Sequence, residues 1–400
     1  MQPQLMKSRG TPGSSIAQFT FLEFFAGGGM ARAGLGQRWE CVFANDLDQK
    51  KADAYIRNWG DDHLHVGNVE QVKLSQLPIS MRADLAWASF PCQDLSLAGN
   101  QAGLNGKRSG AFWGFWSLIS QLQRLDKHPN CVVLENVCGT VSSNGGRDFE
   151  TLLDALRDGG YRAGALVIDA VHFVPHSRPR LFIVAVRNEL SIPSKLLLNS
   201  PLLHWTPVGL SAALREMNSL SRRDWVSWRL PLPPQRRVIF ADLIENDPSE
   251  VEWHTFEQTT RLLNMMSVAN KNKVKLAQLS GRQMVGTLYK RTRVGNDGVR
   301  QQRAEVRFDD IAGCLRTPGG GSSRQTILIV DGKRVRSRLL APREAARLMG
   351  LHESYVLPTN YNDAYKLAGD GVVVPVVRHL AEYLLEPLLR CEAHSRIHVA

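Results

Sequence analysis

Between residues 19 and 187, short apolar runs alternate with segments of helical length, and this alternation most restricts the folds that the chain can adopt. Strands separated by helices of about 10–15 residues are typical of a parallel, doubly wound α/β sheet. The pattern predicts strands at residues 19–25, 41–44, 84–89, 131–134, 165–168 and 181–186. It predicts helices at residues 29–38, 51–59, 112–125 and 149–157.

The rest of the chain indicates that a second, smaller domain interrupts this α/β unit. From residue 189 to 325, prolines and tryptophans break the alternation, and an acidic patch precedes a basic stretch. Residues 342–349 and 375–385 then return to helical patterns, and the apolar face of the second helix needs a core to cover it. That face comprises Val376, Val377, Leu380 and Leu384. We predict a flexible tail at 1–18, a first domain built from 19–188 and 326–400, and a second domain at 189–325.

The charge of the chain favours a polyanionic partner. The formal net charge is +11, and residues 271–324 hold 12 Lys and Arg against 4 Asp and Glu. Charge concentrated in one segment indicates nucleic-acid binding, with general solubility as the alternative. No run of about 18 apolar residues exists, so no membrane span is expected. The six cysteines form no C-x-x-C pair and the N-terminal segment does not look like a signal peptide, which favours reduced thiols in the cytosol.

Cys92 and Glu135 each follow a predicted strand at the point where it ends. Pro91 stops one apolar run immediately before Cys92, and Glu135 follows the run at 131–134. The carboxyl ends of strands form the ligand-binding edge of an open α/β sheet, so the thiol and the carboxylate are expected in one reaction centre. A thiolate is a strong nucleophile toward an electron-poor ring carbon. A buried apolar cysteine and a helix-capping glutamate are the alternatives.

Two basic groups are expected near the same edge. Glycines between residues 93 and 110 surround Lys107 and Arg108, which suits a mobile basic lid. Arg178 and Arg180 precede the apolar run at 181–186 and are expected to point toward an anion or a carboxylate. Solvated charges at the edge of the sheet are the alternative for these two arginines.

The loop after the first predicted strand suggests a nucleoside cofactor. Gly27 and Gly29 allow a ligand to approach the backbone at a helix N-terminus, although Arg32 breaks the G-x-G-x-x-G pattern. Asp46 ends the next strand, where an acid suits a pair of ribose hydroxyls. An ordinary glycine-rich turn with a surface aspartate is the alternative.

Taken together, these motifs resemble the DNA (cytosine-5)-methyltransferase family in their order and spacing. The matching segments are Phe25-Ala26-Gly27-Gly28-Gly29, Asn45-Asp46, Gly67-Asn68-Val69, Phe90-Pro91-Cys92-Gln93, Glu135-Asn136-Val137, Arg178-Pro179-Arg180, 342–350 and Gly369-Asp370-Gly371-Val372. The resemblance covers residues 19–187 and the chain from about residue 337 onward, while the region between matches only in place and character. It implies a Rossmann-like methyltransferase sheet, S-adenosyl-L-methionine as the cofactor and a target-recognition domain at 189–325.

The resemblance also implies a role for each matching residue. The catalytic set is Cys92, Glu135, Arg178 and Arg180. The cofactor set is Phe25, Gly27, Gly29, Asp46, Asn68, Pro91, Gly369, Asp370 and Val372. The residues expected on DNA are Gln93, Ser96, Lys107, Arg108, Lys290, Arg291, Arg293, Arg303 and Arg307. Four positions depart from the family: Met30 for Gly or Ser, Asn68 for Asp, His176 for Gln and Asp370 for Asn.

The implied reaction is methylation of a flipped-out cytosine in double-stranded DNA. Cys92 would attack C6, so that C5 can accept the methyl group, while Glu135 would hold the N3 edge. No metal is required. The family also implies a bacterial or phage enzyme, cytoplasmic and associated with the nucleoid, that works in restriction-modification with a separate endonuclease or as an orphan.

Three other functions fit parts of the sequence. A non-catalytic DNA-binding protein would leave the Cys92, Glu135 and Arg178 set without a purpose. Methylation of RNA cytosine fits the same chemistry, but the long basic second domain favours duplex DNA. A thiol hydrolase would pair Cys92 with His128, His172 or His176, and would leave the glycine loop unexplained.

Overall fold

Seven of the strands form one mixed sheet in the computed structural model, which describes residues 17–91, 110–200, 204–294, 298, 300–315 and 324–390. They are β1 (Phe19–Phe24), β2 (Trp39–Asp46), β3 (Leu64–Val66), β4 (Leu85–Ala88), β5 (Cys131–Val137), β6 (Tyr161–Asp169) and β7 (Pro179–Arg187). Their spatial order is β3-β2-β1-β4-β5-β7-β6. The short strand β3 is absent from the sequence prediction, because Leu64–Val66 has neither an apolar run nor a buried side chain.

The sheet is not entirely parallel, which corrects the prediction. The pairs β1–β2, β1–β4, β2–β3 and β4–β5 are parallel, whereas β7 runs antiparallel to both β5 and β6. Only the segment between Asp169 and Pro179 joins β6 to β7, and it contains one short 3₁₀ turn. A parallel crossover needs a dozen or more residues, so this connection forces the chain to reverse.

Helices cover both faces of the large sheet. The helices are α1 (Met30–Leu35), α2 (Gln49–Trp59), α3 (Ala111–Arg124), α4 (Arg147–Asp158), α5 (Val208–Glu216), α6 (Ser219–Arg223), α7 (Phe256–Asn264), α8 (Val268–Leu279), α9 (Pro342–Leu348), α10 (Tyr361–Asp370) and α11 (Val374–Leu380). One core contains side chains of α1, α2, α9, α10 and α11, and the other contains side chains of α3 and α4. No helix in the described part of the chain is long and apolar enough to cross a membrane.

Strand β5 shows why both faces are covered. Cys131 and Val133 point into one core, and Val132 and Leu134 into the other, as expected for a strand whose side chains alternate between faces. The strand continues to Val137, three residues beyond the predicted end, because its last residues pair with β7. The polar residues that follow the apolar run therefore have a fixed strand geometry.

The C-terminal part of the chain returns to the large sheet. The apolar face predicted for 375–385 is buried in the core that also contains side chains of α1 and α2. The helix α11 ends at Leu380, and Ala381–Leu385 continues it as a π-helical turn. Gly34 of α1 permits this packing, because a Cβ atom there would lie 2.3 Å from the Cβ of Val377.

The second sheet is antiparallel and has four strands. They are β8 (Met284–Val294), β9 (Arg300–Arg307), β10 (Thr326–Asp331) and β11 (Arg334–Leu339), in the order β11-β10-β8-β9. The helices α7 and α8 supply side chains to its core. The predicted domain boundary between residues 325 and 326 cuts this sheet, because β10 and β11 both follow it.

Two tryptophans of the predicted second domain, Trp205 and Trp228, pack on the large sheet. Both tryptophans are buried in the core that also contains side chains of α1 and α11. The indole of Trp228 donates to the carbonyl of Val184 in β7 at 3.1 Å. Gly164 in β6 lies so close to this segment that a Cβ atom would be 1.8 Å from the carbonyl oxygen of Val226. The first part of the predicted second domain is therefore an extension of the large core.

Candidate active site

A cleft of about 1030 Å³ opens at the carboxyl ends of β1, β2, β4 and β5. Its walls are the turn after β1, the ends of β2 and β5, and the segment between α10 and α11. Of the residues predicted for the site, the following line it: Phe25, Gly27, Asp46, Asn68, Pro91, Glu135, Arg178, Arg180, Gly369, Asp370 and Val372. The structure thus brings the predicted cofactor residues other than Gly29, and three of the predicted catalytic residues, into one cavity.

Asp46 fixes the glycine turn from the end of β2. One carboxylate oxygen accepts from the backbone N–H of Gly27 at 2.7 Å, and the other accepts from that of Asp48 at 2.8 Å. Burial raises the pKa of Asp46, and these two N–H groups and the charge of Lys51 oppose that rise. Each carboxylate oxygen keeps a further lone pair with which it can accept a ligand hydroxyl.

Gly28 and Gly29 are packing positions. The carbonyl of Gly28 accepts from the Tyr355 hydroxyl at 2.7 Å and from the Trp59 indole at 3.0 Å. A Cβ atom on Gly28 would lie 2.3 Å from that hydroxyl, and one on Gly29 would lie 2.3 Å from the Trp59 indole nitrogen. Gly29 was predicted to contact the cofactor, but it does not line the cleft, because Trp59 packs against it. Its φ of 76° also favours glycine.

Glu23 is a cleft residue that sequence reasoning missed. It lies in β1 and is only 1% exposed. One carboxylate oxygen accepts from the backbone N–H of Arg32 at 3.3 Å, and the other has no hydrogen-bond partner among the described residues. Burial raises the pKa of Glu23 to about 8, although Arg32 opposes this. An acid within the apolar run of β1 was the available signal, because a buried charge needs a partner.

Three more residues shape the cofactor side of the cleft. Asn68 caps a 3₁₀ turn, and its side-chain oxygen accepts from the N–H of Glu70 at 3.1 Å. Asp370 forms an ion pair with Lys51 at 2.7 Å, which gives the departure from the family's Asn a partner. Leu47 follows β2 and is 71% exposed in the wall of the cleft. Sequence reasoning missed Leu47, although an apolar residue directly after Asp46 could have indicated it.

Glu135 and Arg180 form an ion pair in the wall of the cleft. The Arg180 Nε and a carboxylate oxygen of Glu135 are 3.4 Å apart, and both side chains are nearly buried. The register of β5 and β7 causes this proximity, because it places Arg180 opposite Val137. Asn136, beside Glu135, donates its amide to the carbonyl of Phe90 at 3.1 Å. Asn136 therefore ties the end of β5 to the residue that precedes Pro91, which was not foreseen from the sequence.

Arg178 binds backbone carbonyls and a thiol around the cleft and not the carboxylate that was expected. It is 3% exposed, and one terminal nitrogen donates to the carbonyls of Gly369 at 2.7 Å and Gly371 at 2.8 Å. The other donates to the carbonyl of Leu315 at 3.4 Å and to the Cys314 sulfur at 3.5 Å. It pairs with no carboxylate through its guanidinium in the described structure. Because its end-on donors are used by backbone and thiol acceptors, Arg178 joins three chain segments around the cleft.

The three histidines considered for a hydrolase do not line the cleft. His176 is fully buried, and its Nε2 accepts from the N–H of Leu315 at 3.2 Å. Burial holds the pKa of His176 well below its usual value, which is consistent with a neutral acceptor. His128 and His172 also lie outside the cleft lining. The described structure therefore offers the hydrolase hypothesis no base at this cleft from among these residues.

Five predicted site residues lie outside the described residues. They are Cys92, Gln93, Ser96, Lys107 and Arg108. Both described ends of this segment are held at the cleft: Asn136 binds the Phe90 carbonyl, and Glu70 accepts from the N–H of Gly110 at 3.1 Å.

Five of the seven basic residues predicted to contact DNA lie on β8 and β9. Arg291 and Arg293 are exposed and form ion pairs with Glu305. Lys290 and Arg303 belong to the same pair of strands. Arg307 instead lies at the base of these strands, where its Nε donates to both carboxylate oxygens of Asp309 at 2.7 and 2.9 Å. Its charge is therefore balanced locally by Asp309.

Solved structures of known methyltransferases share the fold. The Dnmt2 methyltransferase of S. pombe superposes with a TM-score of 0.54 at 16% identity, covering 92% of this chain and 99% of that one. A DNMT2 mutant of Spodoptera frugiperda gives 0.57 at 19% identity, with coverages of 93% and 99%. The chain therefore has the Rossmann-like fold of these structures.

Sequence comparison identifies the family. Residues 19–386 match the family described as C-5 cytosine-specific DNA methylase, and the chain belongs to it. Type II methyltransferase M.HhaI of Haemophilus parahaemolyticus is 27% identical over 365 residues, which cover 90% of this chain and 92% of the relative. Type II methyltransferase M.HpaII of Haemophilus parainfluenzae is 26% identical over 390 residues, covering 93% and 90%. The predicted family and enzyme class are confirmed.

Proposed function

We propose that this enzyme transfers a methyl group from S-adenosyl-L-methionine to C5 of a flipped-out cytosine in a specific duplex DNA sequence. One observation carries the proposal: the Asp46-bound glycine turn and the Glu135–Arg180 pair face the same cleft. A cofactor site and a base site in one cavity allow direct transfer between the two ligands.

The cofactor fits the chemistry of the wall formed by β1 and β2. When bound, S-adenosyl-L-methionine supplies an electrophilic methyl group on a positively charged sulfur. Asp46 would accept the ribose hydroxyls, and the exposed Leu47 would pack against the adenine ring. The amide of Asn68 would meet the edge of that ring. The unpartnered oxygen of Glu23 suits the cationic end of the cofactor, because an opposite charge compensates a buried carboxylate.

Cys92 would activate the cytosine. Its thiolate would form a bond to C6, so that the electron pair of the C5–C6 double bond moves to C5. C5 would then take the methyl group from the sulfonium of S-adenosyl-L-methionine, whose methyl–sulfur bond breaks with its electron pair kept on sulfur, so that S-adenosylhomocysteine leaves. Glu135 holds N3 and stabilises the charge that enters the ring, while Arg180 orients Glu135. Loss of the C5 proton to a base and departure of Cys92 restore the aromatic ring.

The target base has to leave the duplex before this chemistry can occur. Base flipping costs a few kcal/mol, so contacts with phosphates and grooves have to offset it. The basic strands β8 and β9 are our candidate for those contacts. The relatives named above are Type II methyltransferases, and we propose that this enzyme serves restriction-modification with a separate endonuclease or acts as an orphan, in a bacterial or phage setting near the nucleoid.

Substitution of Cys92 tests the proposal. The Cys92→Ser variant should keep duplex binding and lose transfer of radiolabelled methyl groups to DNA, while Cys138→Ser, outside the cleft lining, should remain active. Methyl transfer by Cys92→Ser at the wild-type rate would overturn the mechanism. Methyl transfer to transfer RNA and not to duplex DNA would refute the proposed substrate. Binding to DNA should also fall by about 0.9 log units per log unit of salt for each phosphate contacted.

A further inference from the structure

The strands β8 and β9 extend beyond the body of the second sheet as a two-stranded ribbon. Leu288 and Val306 are buried at its base, whereas residues 291–294 and 300–302 are exposed. Residues that lie directly opposite each other in the register share a face of such a ribbon. One face, which we name the arginine face, carries Tyr289, Arg291, Arg293, Gln301, Arg303 and Glu305.

The opposite face continues the core of the second sheet. Its outer residues are Lys290, Thr292, Val294, Arg300 and Gln302, and they follow Leu288, Ala304 and Val306 on the same side. Ala304 and Val306 pack in the core that α8 contributes to. This face is therefore directed toward the helices of the second sheet, while the arginine face is directed away from them.

The arginine face leads to the cleft. Tyr289 stands at its base, and a Cβ atom on Gly313 would lie 2.5 Å from the Tyr289 hydroxyl. The next residue along the chain, Cys314, lines the cleft beside Arg178. A duplex that delivers a base to the cleft therefore passes the arginine face before it can meet the opposite one.

Glu305 orients two of the arginines. Its carboxylate binds the Nε of Arg293 at 2.6 Å and lies 3.5 Å from the Nε of Arg291. Glu305 also contacts the Nη2 of Arg293 at 2.6 Å, so it binds the side-on edge of that guanidinium. Each terminal nitrogen carries two hydrogens, so the end-on edge of each arginine keeps hydrogens for another acceptor. One carboxylate shared by two arginines leaves this trio with a net charge of about +1. An oriented guanidinium loses less conformational freedom when it forms a bidentate contact.

We propose that the arginine face reads the sequence of the target duplex, with Arg291 and Arg293, held by Glu305, binding guanine edges in the major groove. The inference rests on the proposed function and names the residues that set its specificity. A two-stranded ribbon fits a groove about 12 Å wide, and arginine binds guanine O6 and N7 bidentately. Residues two apart in a strand are separated by about 6.6 Å, close to two base-pair steps. The two guanines therefore lie within about two steps of each other.

Mapping of methylated sites tests this assignment. We would express the wild type, Arg291→Ala and Arg293→Ala in a methylation-free host and map 5-methylcytosine by bisulfite sequencing. Each alanine variant should relax the preference at one guanine-containing position by about tenfold to a hundredfold, with the other positions unchanged. Arg300→Ala is the matched control, because it removes the same charge from the opposite face and should leave every position unchanged within about twofold.

Glu305→Gln distinguishes recognition of guanine from general electrostatic attraction to DNA. Removal of a negative charge should strengthen binding of the purified full-length enzyme to any duplex, yet it should relax the preference for guanine because the arginines lose their orientation. A wild type that methylates no DNA would refute the proposed function. A wild type with a clear sequence preference that both alanine variants retain in full would refute the arginine face and leave the proposed function intact. The arginine face would also be refuted if Arg300→Ala relaxed the preference for guanine as much as Arg293→Ala does.

Discussion

Replacement of Arg178 by methionine separates two roles that this residue could have. Its guanidinium donates two short hydrogen bonds, to Gly369 and Gly371, and two longer ones, to Leu315 and Cys314. A hydrogen bond from a charged group contributes about 1.5–3 kcal/mol, so the two short bonds together stabilise the fold by roughly 3–6 kcal/mol. Burial lowers the pKa of Arg178 to about 10, which shows that the charge also carries a desolvation cost.

The net effect of Arg178→Met should therefore be a loss of about 3 kcal/mol, because methionine fills the space and removes the desolvation cost but leaves two buried carbonyls without donors. For a chain of this size that loss lowers the melting temperature by about 4 °C. Since Gly369 and Gly371 line the cleft, the dissociation constant for S-adenosylhomocysteine should also rise, by about tenfold. Arg178→Lys should have a melting temperature and a cofactor affinity between those of the wild type and Arg178→Met, because one amine reaches fewer of these acceptors.

Circular dichroism melts and isothermal titration calorimetry measure the two quantities. If Arg178 instead acts in catalysis, as the resemblance implied, Arg178→Met would lower kcat and leave both the melting temperature and the cofactor affinity unchanged. That result would refute the structural role. A lower melting temperature together with weaker cofactor binding would support it.

Three further predictions follow from other contacts around the cleft. Asn136→Ala should lower kcat by about tenfold or more, with unchanged cofactor affinity in calorimetry, because the Phe90 carbonyl loses its donor; an unaltered kcat would contradict this. Gly28→Ala should abolish measurable cofactor binding through its clash with the Tyr355 hydroxyl, and the added Tyr355→Phe should restore part of it, whereas no restoration would argue against the clash. Glu23→Gln should stabilise the cofactor-free enzyme more at pH 8 than at pH 5, because a carboxyl whose pKa rises to about 8 on folding destabilises the fold as the pH increases from 5 to 8. The gain in unfolding free energy should be roughly 3 kcal/mol larger at pH 8, and it is measured from melting temperatures at the two pH values. Equal gains at pH 5 and pH 8 would disprove this prediction.

Local patterns in the sequence were sufficient to predict most of the sheet and much of the cleft. The apolar run that ends in Glu135 and the strand that ends in Asp46 predicted where those carboxylates lie, because a strand's end is a local property. The antiparallel direction of β7 was harder to predict from the sequence. It depends on the absence of a helix between Asp169 and Pro179 and not on any motif. The length of a connection is a weaker signal than the pattern of a strand, although it decides direction.

Contacts between distant residues could not be predicted in this way. The carbonyl partners of Arg178 lie 137 to 193 residues away along the chain. Trp59, whose packing excludes Gly29 from the cleft, is likewise a partner that only the folded chain reveals. In both cases the motif predicted an important residue but assigned it the wrong neighbour, because side-chain type specifies what a group can bind and not which group the fold brings to it.

These distant contacts explain how a chain that leaves the large sheet and returns to it can build one site. Arg178, directly before β7, binds carbonyls at the end of α10 and just after it on one side, and the segment containing Leu315 on the other. Leu315 follows Gly313, against which Tyr289 at the base of the arginine face packs. The wall that would hold the cofactor and the chain that leads to the proposed reading surface thus share one buried guanidinium. Because that guanidinium has acceptors on both sides, it holds both segments at fixed positions against the start of β7.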